Sequence, residues 1–251
     1  MSEQFSLDLL QAISDWQQGG NFELKKKYGI QLKSTATSLD PEFRQCDVVC
    51  YRRISLGKSP LWKLIAEQEL PETISSWTND VSIAKAFKGG VPEEGWQGII
   101  AQHKPTPDEV IVNLDYLYAD RDFQSAVEKH KHNIENFDLG IGLYGNHERE
   151  IVIEKTSLAP SEIYALGGYS SSPNVIGHKI FGREPTPKEI TFMEKRLAQR
   201  DEKFGAWWLT GDPLQRVLKK VESHIPALKK KKTKRYSENV RANPRNWITP
   251  S

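Results

Sequence analysis

Cysteine is nearly absent: the 251 residues hold two, Cys46 and Cys50. Two thiols four positions apart cannot build the disulfide framework of a small secreted scaffold. No second Cys or His pair at ligand spacing accompanies them, so buried or half-buried free thiols are expected in place of a zinc site. Long apolar runs are missing too. Stretches such as Ile151-Val152-Ile153 fall far short of the roughly 20 residues a membrane helix needs. Residues 1–16 mix acids with apolar side chains and have no basic leader, which points away from an export signal and toward a cytoplasmic protein with reduced thiols. There is no G-x-S-x-G and no Ser-His-Asp order, so a hydrolase triad is not expected. Leu56-Gly57-Lys58-Ser59 looks like the end of a phosphate-binding loop, but Arg52 stands where its first glycine must be. Gly140 to Gly145 matches G-x-G-x-x-G, yet a strand pattern follows it where a dinucleotide site requires a helix.

What is present is a globular composition. Hydrophobic residues make up 37% and charged residues 27%, enough to bury one large domain with appendages. Charge is uneven along the chain. From Lys229 onward there are eight basic residues and one acid, Glu238, so this end carries +7. The net charge of +2 leaves −5 on residues 1–228. Phe5, Leu9, Ile13 and Trp16 recur at helical spacing until Gly19-Gly20 stops the pattern. Residues 25–45 are mixed and polar, which reads as helix ends and loops. Strands are expected over 47–55, 98–103, 110–115, 139–144 and 150–154, with a short one from Ile74 turning into a helix near Asp80. Helices are expected over 61–70, 116–136, 187–200 and 213–222. Residues 155–180 read as loops with one edge strand. Helices, then strands, then helices again make an α+β fold. The expected segments are a helical addition at 1–45, a core at 46–180, C-terminal helices at 181–228 and a basic tail at 229–251.

Three separated motifs carry chemistry. Glu148 and Glu150 form E-x-E at the entrance to an apolar strand. Alternate strand positions point to one side, so two like charges are held close there. A strand edge kept soluble by acids is the structural alternative. The second motif is Cys50-Tyr51-Arg52-Arg53, an arginine after an aromatic on a strand. The third is Ser75-Ser76-Trp77-Thr78, hydroxyls on a strand that runs into a helix bearing Ala84 and Phe87.

In this order, over residues 47–155, the motifs resemble the Arg/Ser-Thr-Ser/Glu signature of the ADP-ribosyltransferases, the group that includes the cholera- and clostridial-type toxins. The resemblance implies a split β-sandwich flanked by helices, NAD+ as substrate and no metal. It implies that Glu150 stabilises an oxocarbenium-like sugar and holds the ribose 2′-OH. Arg52 would grip the pyrophosphate with its planar fork. Ser76 and Thr78 would hydrogen-bond Glu150 and the nicotinamide ribose, and Glu148 would face the nucleophile. Trp77 or Phe87 would lie against nicotinamide, and Tyr144 would belong to the acceptor-recognition loop. Three positions depart from the family pattern. Arg53 stands where the family often has Gly, which leaves either arginine as the pyrophosphate ligand. Trp77 replaces the middle Thr of Ser-Thr-Ser, and Thr78 replaces the last Ser.

The acceptor stays open between two classes. In the family, a Glu at the first position of E-x-E goes with transfer to a protein arginine. The Lys229–Arg245 stretch, with Tyr236 and Trp247 among its cations, suits a nucleic acid. A solvated basic end is the plainer reading of that stretch. The resemblance extends to intracellular toxins of toxin–antitoxin or phage-defence systems, which implies a neutralising partner protein and no membrane. An NAD+ glycohydrolase, or an inactive NAD-binding module, are the alternatives.

Overall fold

The computed structural model describes residues 4–57, 64–93, 96–145, 147–223 and 225–226. The basic tail at 229–251 lies outside the described residues. So does the start of the helix expected over 61–70, of which residues 64–67 are helical.

Side-chain caps set where the helices begin. Ser6 accepts the Leu9 N–H and opens α1 (Leu7–Gln18), which ends at Gly19 with φ 72°. Asn21 opens α2 (Phe22–Thr35) in the same way. That 14-residue helix runs through the first part of the segment expected as helix ends and loops over 25–45. It buries only Gly29 and Leu32, so its apolar stripe is too thin to read from periodicity. Asp80 caps α3 (Val81–Ala86). The single helix expected over 116–136 is two, α4 (Leu114–Ala119) and α5 (Arg121–His130), because Asp120 leaves helical geometry to cap the second. The strand expected over 139–144 is instead the short helix α6 (Ile141–Tyr144) after a 3₁₀ turn. Leu139, Ile141 and Leu143 alternate as a strand would, but Gly140 is pressed onto α1. A Cβ there would meet Ser14 backbone and hydroxyl oxygens at 2.3 Å. C-terminal to these lie α7 (Pro173–Phe181), α8 (Pro187–Ala198) and α9 (Gly211–Glu222).

The strands are β1 (Cys50–Gly57), β2 (Ile74–Thr78), β3 (Trp96–His103), β4 (Val110–Asn113), β5 (Glu150–Glu154), β6 (Ile163–Ser170) and β7 (Gly205–Leu209). All pair antiparallel in the order β4-β5-β2-β1-β3-β6-β7, and the fold is α+β. β6 is not an edge strand: β3 and β7 flank it. β7 lies inside the segment expected to be helical, and it forms the sheet edge. Its Trp208 ring rests on Gly167, where a Cβ would come within 2.3 Å.

The sheet is nearly two. β1 pairs β3 over eight residues and β2 pairs β5 over five, but β1 and β2 share only the pair Tyr51–Thr78. Beyond that pair the halves β4-β5-β2 and β1-β3-β6-β7 diverge. One core packs α1 and α2 on Val112 and Val152 of the smaller half. The second lies on the opposite face, where Trp77, Ile99, Ile151 and Ile153 meet Leu214 and Leu218 of α9. Each fully buried Leu or Ile contributes about 1.5–3 kcal/mol. The second core ties the halves together, Trp77 and Ile151 packing with Ile54 and Ile99, and a cleft lies between them. Among the described residues, no helix is long and apolar enough to cross a membrane.

Candidate active site

Alternation along β2 sends Ser76 and Thr78 to one side and Ser75 and Trp77 to the other. Thr78 pairs with Glu150 across β2 and β5, so Glu150 shares the side of the two hydroxyls. Glu150 is the first residue of β5 and only 7% exposed. Its Oε1 accepts the Trp16 indole N–H at 2.8 Å and the Ser76 hydroxyl. Burial holds its pKa above the ordinary carboxylate range. The donors Ser76 and Trp16 pull the other way, and the charge of Glu148 adds to the rise.

Glu148 reaches the same cleft by a different route from the one expected. It lies before β5, and Arg149 between the two acids adopts φ 47°. Strand alternation therefore does not place Glu148; a left-handed turn does. The side chain is half-buried, and burial raises its pKa too. Arg149 points away toward Asp115, at 3.7 Å. Asp115 in turn accepts from the Asn79 amide at 2.8 Å.

The cleft between the halves is about 660 Å³, in the range that encloses a nucleotide-sized ligand. Arg52, Arg53, Ser76, Thr78, Phe87, Tyr144, Glu148 and Glu150 all line it. Arg52 is nearly buried, and its Nη2 donates to Glu72. Burial lowers its pKa, and Glu72 opposes that shift. Register puts Tyr51 and Arg53 on the Thr78 side of β1, with Arg52 alternating away. Both arginines still border the cleft because the strands separate beyond Tyr51. Arg52 Nη1 and Arg53 Nε and Nη1 are buried donors without a hydrogen-bond partner.

Trp77 and Thr78 also border the cleft, but their side chains are engaged elsewhere. Trp77 is 2% exposed, packs in the second core and donates its indole N–H to Ser75 Oγ at 3.1 Å. It is core, and its ring is turned from the Glu150 side. Thr78 uses its hydroxyl to accept the Asp80 N–H at 3.2 Å, which holds the turn into α3. Phe87 is 41% exposed at the mouth of the cleft.

Sequence reasoning missed Trp16, Gln17 and Glu72. Trp16 ends the apolar stripe of α1, just before Gly19, and that position is its only signal in the sequence. Gln17 accepts the Tyr118 hydroxyl at 2.7 Å and helps to lower the Glu150 pKa. The N-terminal helix is thus part of the site. In comparisons with known proteins, no family model, curated protein or solved structure matches the chain.

Proposed function

We propose that this chain is an NAD+-dependent mono-ADP-ribosyltransferase that moves ADP-ribose to a macromolecular acceptor. One observation carries the reading. A buried carboxylate, held by a serine hydroxyl and an indole N–H, sits in a cleft whose other wall offers two arginines with unpartnered donors. The divergence of the sheet at one residue pair supports the split-sandwich reading of the fold.

The residues fit the substrate's chemistry. The diphosphate carries negative charge that the free N–H groups of Arg52 and Arg53 satisfy as forked donors. With Glu150 Oε1 engaged by Ser76 and Trp16, Oε2 takes the ribose 2′-OH. The bond from ribose C1′ to the nicotinamide nitrogen breaks, and nicotinamide leaves neutral with the electron pair. Positive charge develops on the sugar, and ionised Glu150 stabilises it. An acceptor nucleophile then bonds to C1′, and Glu148 takes its proton. A carboxylate whose pKa is raised by burial is a better base than an exposed one. Tyr144 borders the same opening and meets the acceptor.

The test is incubation with NAD+ labelled in its adenosine part and a cell lysate, followed by separate protease and nuclease digestion. Label retained on a macromolecule supports transfer. Label found only as free ADP-ribose means that water is the acceptor and the chain is a glycohydrolase. Intact NAD+ removes the enzyme reading.

A further inference from the structure

The face of the larger half-sheet that adjoins the cleft carries cations laid over aromatic rings. Arg53 lies over Trp208 at 5.7 Å, Lys85 over Tyr164 at 5.3 Å and Lys88 over Phe87 at 5.6 Å. Register puts Trp96, 58% exposed, on the side of β3 that Ile100 and Arg53 share. The Trp208 indole donates to the Lys85 carbonyl at 3.3 Å, which fixes α3 against β7. Among the described residues, Arg53, Lys85 and Lys88 form no ion pair with a carboxylate. Asp80, one turn before Lys85, is engaged in capping α3 through Ser82.

From this we infer that the surface is a single-stranded nucleic-acid platform, which delivers a base or ribose of the strand to the cleft. Lys85 and Lys88, un-neutralised beside half-exposed rings, supply both parts of such recognition, phosphate attraction and flat surfaces for stacking, while Arg53 serves the diphosphate. The +7 of residues 229–251 adds the same sign of charge to the chain. A protein arginine is the poorer fit, because a guanidinium approaching this face meets like charge. The inference rests on the transferase reading for what the bound strand is used for, but the binding itself needs neither NAD+ nor catalysis.

Binding is therefore the test. Fluorescein-labelled single-stranded RNA and DNA of about 12 nucleotides, one or two binding footprints, are titrated with the full chain at several salt concentrations. The double variant Lys85→Glu, Lys88→Glu is run beside it. The wild type should bind with a steep salt dependence. The variant should bind at least about tenfold more weakly, with a log–log slope smaller by about 1.4 because two fewer phosphates are neutralised. Circular dichroism checks its fold, and Trp96→Ala, which leaves every cation in place, should weaken binding without changing the slope. RNA bound in preference to DNA, or the reverse, names the natural strand. Equal, salt-insensitive binding by wild type and double variant overturns the proposal. So does the absence of oligonucleotide binding by the wild type, whatever becomes of the label. Failure of the transferase reading looks different: oligonucleotides still bind, but NAD+ is never cleaved.

Discussion

Among single residues, Glu150 is the one that the fold holds at a cost. Its folded pKa is raised by burial, so its contribution to stability is full below the unfolded carboxylate range and is lost as pH rises through the folded value. Glu150→Gln keeps the shape and removes the charge. Its melting temperature should exceed that of the wild type at pH 8, and the difference should shrink toward pH 4; a gap that widens on acidification contradicts the assigned shift. Glu148→Gln should lose transfer to the acceptor yet retain some NAD+ hydrolysis, because its proposed role is to take the nucleophile's proton. Equal loss of both activities would mean that the two acids act as one unit. Arg52→Lys should raise the KM for NAD+ more than it lowers kcat, since Lys keeps the charge without the fork. An unchanged KM would pass the pyrophosphate to Arg53, whose Nε and Nη1 are the other unpartnered donors.

At the scale of elements, the N-terminal helix is part of the site, because Trp16 on α1 reaches across 134 positions to Glu150. Trp16→Phe should destabilise the fold by about 1.5–3 kcal/mol, the worth of a hydrogen bond to a charged group. It should also raise the Glu150 pKa further and shift the acid limb of the activity profile to higher pH; an unmoved limb would mean that the indole only packs. The same contact marks where the sequence stops being legible. Ser76, Glu148, Glu150 and the paired arginines were readable because each sits in a short local pattern, and the structure gathers them in one cleft. Trp16 and Glu72 were not, because their roles come from strand register and helix docking, which no local pattern encodes. Elements divide along the same line. β2, β5, α8 and most of α1 follow their periodicity. The alternation over 139–144 misled because Gly140 docks against Ser14, a tertiary contact that overrides strand pattern. α2 and β7 went unread, the first for want of a buried stripe and the second because its rings are only partly covered.

At the scale of the whole molecule, the two half-sheets meet at Tyr51–Thr78, and the cleft opens where they part. Both cores span the smaller half, and the second also ties it to the larger half through Trp77, Ile99 and Ile151. The cleft walls are therefore rigid enough to hold a carboxylate in place before reaction. Deleting residues 229–251 should leave hydrolysis of free NAD+ unchanged while weakening oligonucleotide binding. The salt dependence of that binding should flatten by about 0.7 for each phosphate the tail had neutralised. A rise in the KM for NAD+ would tie that segment to the dinucleotide. Nicotinamide release from NAD+ by the wild type and Glu150→Gln side by side, with circular dichroism of both, tests the proposed role of Glu150 most directly. Release by the wild type, and a loss of at least about a hundredfold in the folded variant, is the predicted result. Release at equal rates by both, or by neither, would contradict it.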